Sequence, residues 1–204
     1  MAKLYFRYGT VGCAKTLNLL AVADNYERQG KRALVLKPAA DVRFGARRVA
    51  SRAGLERDAD LLLEDDTRLA FEFFDGCHCV LVDEAQFLSP SVIEQLRELT
   101  LAKDLPVICY GLRTDFRSVL FDGSRRLLEL ADSVEEVKTT CAYCNSKAIL
   151  NLKSVDGEPI LDGPSTELGC EELYVPVCYR HYREKLGDEA ARRARESVES
   201  DEVV

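Results

Sequence analysis

The apolar residues of this chain gather in short unbroken runs instead of alternating with polar ones. Leu4-Tyr5-Phe6-Arg7-Tyr8, Ala33-Leu34-Val35-Leu36, Cys79-Val80-Leu81-Val82 and Pro106-Val107-Ile108-Cys109-Tyr110-Gly111 each read as a strand, with Val134-Glu135-Glu136-Val137 as a fifth. Runs that are apolar on consecutive residues are expected of strands covered on both faces. Helical spacing fills the intervals. Leu17 to Val22 opens one helix, and Val92, Ile93, Leu96 and Leu99 follow Ser89-Pro90-Ser91, where Ser91 and Glu94 are spaced as a capping box. Strands alternating with helices predict an α/β fold: a mostly parallel sheet with helices on both faces. Ligands are then expected at the carboxyl ends of the strands.

Two such ends carry chemistry. After the first strand comes Gly9-Thr10-Val11-Gly12-Cys13-Ala14-Lys15-Thr16, one residue short of the phosphate-binding P-loop Gly-x-x-x-x-Gly-Lys-[Ser/Thr]. In such a loop, backbone N–H groups at a helix start wrap phosphates, the lysine reaches the outer phosphates and the hydroxyl ligates Mg²⁺. Ala14 stands where the motif has glycine, and its methyl group is expected to crowd either the phosphate or a backbone shape that suits glycine, at the expense of ATP affinity or turnover. Cys13 sits near a helix start, where a thiol pKa can fall, and its alkylation is expected to block nucleotide binding. An apolar run ending in acid, Val80-Leu81-Val82-Asp83-Glu84, then makes a Walker-B-like strand. Asp83 is placed to hold Mg²⁺ and Glu84 to act as general base on a substrate hydroxyl.

Charge and cysteine usage narrow the partners. A net charge of −7 argues against broad nucleic-acid binding. The N-terminus lacks the apolar run of a signal peptide, and no stretch suggests a membrane span. Eight cysteines without an export signal point to reduced thiols and metal ligands in the cytoplasm. Four metal ligands are visible: Cys141-x-x-Cys144 and Cys178-x-x-His181, two knuckles suited to a closed tetrahedral Zn²⁺ site of structural type. Cys77-His78-Cys79 is different, because in a strand His78 faces away from both thiols.

Taken in order, these residues resemble the tetrameric, zinc-containing thymidine kinases. The resemblance runs from Lys3 to about Leu186. It includes Asp41-Val42-Arg43-Phe44-Gly45, Ser51-Arg52-x-Gly54, Val82-Asp83-Glu84-Ala85-Gln86-Phe87, Cys109 through Arg117, and both knuckles. It implies ATP with Mg²⁺, a structural zinc, a homotetramer, and phosphoryl transfer to the 5′-hydroxyl of thymidine. Glu84 and Arg43 would be catalytic. Gly9 to Thr16 and Asp83 would hold the nucleotide and metal. Asp41, Gln86, Leu112, Phe116, Phe121 and Tyr174 would contact the nucleoside, with Leu168, Gly169, Cys170 and Glu171 on the returning arm of a lasso loop between the knuckles.

The implied organisation is a P-loop α/β domain over 1–140, a zinc-binding lasso domain over 141–186 and a charged tail over 187–204. Val11 replaces a methionine common near the family's base pocket, which leaves a kinase for another pyrimidine deoxynucleoside open. Ala14 leaves open a nucleotide-binding paralogue that transfers phosphate poorly.

Overall fold

The computed structural model describes residues 1–155, 158–161 and 174–187. The expected residues Leu168, Gly169, Cys170 and Glu171 and the tail beyond Gly187 lie outside the described residues. The chain folds as two compact units. The first comprises Met1–Gly9, Ala14–Arg113 and Phe121–Val137; the second comprises Thr10–Cys13, Thr114–Leu120 and the chain from Lys138 onward.

In the first unit, β1 (Leu4–Tyr8), β2 (Ala33–Pro38), β5 (Leu61–Leu63), β6 (Cys79–Val82), β7 (Val107–Gly111) and β8 (Ser133–Glu136) form a six-stranded sheet in the order β5-β2-β6-β7-β1-β8. Every pairing in it is parallel. Alternate side chains of the central strands feed two separate cores, as continuous apolar runs require. Leu34, Leu36, Val80, Val82, Val107 and Cys109 pack with Val92, Ile93, Leu96 and Leu99 of α2 (Pro90–Ala102) and Leu127 of α3 (Asp122–Leu130). Ala33, Val35, Cys79, Leu81 and Tyr110 pack with Leu19, Leu20 and Ala23 of α1 (Lys15–Arg28).

Two sequence expectations are corrected here. The capping box does not form: Ser89, not Ser91, is the N-cap of α2, because Pro90 occupies the first helical position and carries Ser91 into the first turn. Ser89 Oγ donates to the Asp65 carbonyl at 2.7 Å, and Glu94 pairs instead with Arg126 at 2.8 Å. Between β2 and β6 the chain also forms no α-helix. It makes the antiparallel pair β3 (Arg48–Ala50) and β4 (Glu56–Asp58), then β5 and a 3₁₀ turn at Phe71–Phe74. Three-residue strands are too short to show a period.

Close backbone approach fixes the turn that follows β6. A Cβ on Gly123 would stand 2.6 Å from the Leu88 carbonyl and 2.7 Å from that of Ala85, so α3 packs directly on the segment after Glu84.

The second unit is built on the antiparallel strands β9 (Leu150–Val155), β10 (Glu158–Ile160) and β11 (Tyr174–Val177), followed by α4 (Tyr179–Leu186). Its core gathers Cys141, Leu150, Leu152, Val177, Cys178 and Tyr182. Among the described residues no helix is long and apolar enough to cross a membrane.

Candidate active site

The phosphate loop leaves β1 at Gly9, whose N–H donates to the Gly111 carbonyl at 3.2 Å. Lys15 and Thr16 open α1, and Lys15 is buried, its Nζ donating to the Gly9 carbonyl at 3.3 Å. Ala14 precedes the helix with φ 68° and ψ 28°. A glycine takes this left-handed conformation freely, whereas alanine pays roughly 1–2 kcal/mol for it. The missing glycine therefore leaves the loop's backbone shape in place and appears as local strain.

Thr10–Cys13 of the same loop belong to the second unit. There Gly12 is also left-handed, with φ 73°, and the Cys13 N–H donates to the Thr10 carbonyl at 3.4 Å. Asn151 Oδ1 accepts from the Val11 N–H at 2.8 Å. Cys13 is only 5% exposed, which leaves an alkylating reagent little surface to approach.

Thr16 Oγ1 donates to Asp83 at the end of β6, 3.1 Å from Oδ2. The two residues expected to share Mg²⁺ thus face each other within one unit. A hydroxyl beside a carboxylate is a hard oxygen set of the kind Mg²⁺ takes. Asp83 is deeply buried, and that burial, followed by the neighbouring Glu84 charge, pushes its carboxyl up to about 7. A cation at this position would offset that cost, so the residues fit the ion.

Glu84 lies in the opposite state. Burial alone would raise its pKa, but the charges of Arg43 and then Lys15, with hydrogen bonds from Arg43 and Gln86, hold it below the usual carboxylate range. Its backbone is left-handed at φ 49°, which a non-glycine residue adopts only when its surroundings enforce it. The two adjacent acids thus stand in different surroundings, Asp83 facing the Thr16 hydroxyl and Glu84 facing Arg43 and Gln86.

Arg43 joins Glu84 to Asp41. Its Nη2 lies 2.7 Å from Glu84 Oε1 and 3.2 Å from Asp41 Oδ2, and its Nε lies 2.7 Å from Asp41 Oδ1. Asp41 is in turn 3.2 Å from the Nζ of Lys37, which is 1% exposed and also donates to the Arg48 carbonyl at 3.0 Å. Burial would raise Asp41, yet Arg43 and then Lys37 hold it low. Opposition by Glu84 and Asp41 raises Arg43 against the effect of its own burial. Sequence reading found Asp41, Arg43 and Glu84 but missed Lys37. The available signal was a lysine ending an apolar run, four residues before an acid.

The remaining expected residues fall in both units. In the first, Leu112 and Phe121 are half-buried, and Phe121 meets Phe87 edge to face at 5.7 Å. Gln86 is buried and hydrogen-bonds Glu84. In the second, Phe116 is buried 6.2 Å from the Tyr174 ring, with Lys153 Nζ 5.0 Å above its own ring. The segment bearing Phe116 is tightened by Asp115, which accepts from the N–H groups of Arg117 and Val119. Tyr182 Oη of α4 donates to the Phe116 carbonyl at 2.7 Å, so α4 anchors that segment.

The four expected metal ligands converge in the second unit. Their donor atoms all lie within 4.8 Å of one another. His181 Nδ1 is 3.4 Å from Cys141 Sγ and 3.3 Å from Cys178 Sγ, and Cys144 Sγ is 3.9 Å from Cys178 Sγ. Tetrahedral zinc, with bonds near 2.3 Å to sulfur and 2.0–2.1 Å to nitrogen, separates its ligands by about 3.5–3.8 Å, so the cluster fits Zn²⁺. Ser146 N–H donates to Cys144 Sγ at 3.4 Å, and hydrogen bonding from Ser146 brings that thiol down to about 6. His181 Nε2 faces Glu184 Oε2 at 3.8 Å, the outer partner a ligating histidine commonly has. Outside this cluster, His78 Nδ1 accepts from Arg32 N–H at 3.1 Å, and burial raises Cys79 to about 11.

The strain at Ala14 gives a direct expectation. Ala14→Gly should raise the unfolding free energy by about 1 kcal/mol in chemical denaturation, reversing the usual alanine-to-glycine loss. A loss of similar size would contradict the left-handed conformation.

A sequence model of the thymidine kinase family matches residues 2–182. A thymidine kinase of Streptococcus gordonii is 43% identical over 185 residues, covering 89% of this chain and 96% of its own. Those of Lactiplantibacillus plantarum and Lactococcus lactis are 44% and 41% identical over 186 residues, covering 89% of this chain and 96% and 97% of theirs. Among solved structures, a Pif1 helicase from Candida albicans covers 67% of this chain and 36% of its own at 13% identity and a TM-score of 0.41, which is too distant a likeness to carry an argument. With its family motifs placed at the strand ends and its relatives matched over nearly their whole length, this chain belongs to the thymidine kinase family.

Proposed function

We propose that this chain transfers the γ-phosphoryl group of ATP to the 5′-hydroxyl of thymidine. The observation that carries this reading is the placement of a buried Glu84, 2.7 Å from Arg43, beside Asp83, with Thr16 and Lys15 in the same unit. A protein that only bound nucleotide would have no need of a proton acceptor beside the metal-binding acid.

The chemistry follows from charge and position. Phosphoryl transfer passes through a loose transition state, so the attacking hydroxyl becomes acidic only as its bond to phosphorus forms. A carboxylate of low pKa can then accept the proton, since it acts late and mainly orients the hydroxyl. Glu84 is this acceptor. Arg43, fixed by Asp41, supplies positive charge at the same point. Lys15 adds charge at the phosphate loop, and Thr16 and Asp83 would hold the Mg²⁺ that neutralises charge on the phosphate oxygens. Ala14 keeps the loop's left-handed shape, which weakens the case for a paralogue without transfer activity.

The test is transfer of labelled γ-phosphate from Mg-ATP to thymidine, with deoxyuridine and deoxycytidine as comparisons. Thymidine should be the preferred acceptor, and Glu84→Gln should cut turnover by at least ~10²-fold. Absence of transfer to any nucleoside by folded protein would overturn the reading, and near-normal turnover in the variant would remove Glu84 from the role of base.

In the second unit, Cys141, Cys144, Cys178 and His181 are proposed to hold one structural zinc, which fixes the start of α4 and through Tyr182 the segment bearing Phe116. Metal analysis of the purified protein should find one zinc per chain, and Cys178→Ser should lower both zinc content and melting temperature. A fully folded, metal-free protein with unchanged melting would contradict this.

A further inference from the structure

We infer that Gln86 is a positioning residue for Glu84, and that position 111 is glycine because the Gln86 side chain occupies the space of a Cβ. The inference rests on the proposed role of Glu84 as proton acceptor.

Gln86 is 2% exposed, and both ends of its amide are engaged within the protein. Nε2 donates to Glu84 Oε2 at 2.6 Å, and Oε1 accepts from the Leu112 N–H at 2.9 Å. The second bond sets the direction of the first, because a reversed amide would set its NH₂ against the Leu112 N–H and its oxygen against a carboxylate. Gln86 is thereby locked as a donor to Glu84. Arg43 holds the other oxygen, Oε1, at 2.7 Å. The carboxylate is gripped from two sides by two different groups, which fixes its rotation about the terminal bond. Its left-handed backbone at φ 49° fixes the starting direction of the side chain.

Topology explains why the end of β7 sets the Gln86 amide. This strand pairs with β6, so its last residues lie beside the turn that bears Glu84 and Gln86. A Cβ built on Gly111 would stand 2.6 Å from Gln86 Oε1 and 3.1 Å from the Gln86 backbone nitrogen. Any side chain there would displace the amide, and with it the donor to Glu84. Gln86 acts through Glu84 rather than on the nucleoside, which differs from the substrate contact implied by the family resemblance.

A double-mutant cycle tests this. Gln86→Met keeps the length of the side chain and removes both amide bonds. In otherwise wild-type protein it should lower kcat on the order of 10- to 100-fold, with KM for ATP and for thymidine within about 3-fold. In the Glu84→Gln background the same change should lower kcat by less than about 3-fold, since the group it positions is gone. Equal losses in both backgrounds, or a raised thymidine KM with kcat unchanged, would overturn the inference. Gly111→Ala, which disturbs the amide from β7, goes through the same cycle if Gln86→Met does not fold. Absence of transfer by the wild type would overturn the kinase reading and this inference together. Transfer by the wild type with additive losses would overturn the inference alone.

Discussion

One guanidinium holds the candidate site of the first unit together. Arg43 lies between Asp41 and Glu84, and Lys37 lies beyond Asp41, so four buried or nearly buried charges alternate in sign. Each would be costly to bury alone. Two carboxylates held below their usual range and one guanidinium raised above its own show the same pairing from both sides. The alternation also ties separate pieces of chain together: Lys37 is the penultimate residue of β2, Asp41 and Arg43 follow that strand, and Glu84 lies two residues beyond the end of β6. Lys37 reaches the Arg48 carbonyl as well, so one buried ammonium bonds the segment after β2 near both its ends.

Asp83 stands outside this balance, and its exclusion is informative. Asp83 and Glu84 are both buried neighbours, yet Arg43 forms its ion pair with the second and not the first. The result is a carboxyl raised to about 7, with the Thr16 hydroxyl donating to it. Left unbalanced, such a group lowers the stability of the empty protein as pH rises from its ordinary range toward 7, because the folded state retains a proton that the unfolded chain releases. That cost is the counterpart of a site built to gain a cation. The second unit shows the same logic with soft ligands, where close-packed thiols and an imidazole are brought within bonding range of one metal.

Much of this could be read in the sequence, for definite reasons. Val80-Leu81-Val82 gave away its strand because both of its faces are covered, and the phosphate loop and the paired knuckles are spacings that chance seldom produces. What was hidden falls into three kinds. Strands β3, β4 and β5 are three residues each, too short to carry a pattern. The roles of Lys37 and Asn151 depend on partners brought close only by folding. Gln86 was visible as a motif residue, but its direction depends on the Leu112 N–H just beyond the end of a neighbouring strand. The backbone shape at Ala14 likewise becomes visible only in the folded chain, as a left-handed angle.

The central claim is that Arg43 is the shared counter-charge of the site, and a stability cycle tests it most directly. Unfolding free energies would be measured by chemical denaturation near pH 8 for the wild type, Arg43→Met, Glu84→Gln and the double variant. Arg43→Met alone should cost roughly 3–5 kcal/mol by leaving a buried carboxylate without its partner. Adding Glu84→Gln should recover at least about 1 kcal/mol of that loss. Strictly additive losses would show that the two side chains stand close without depending on each other.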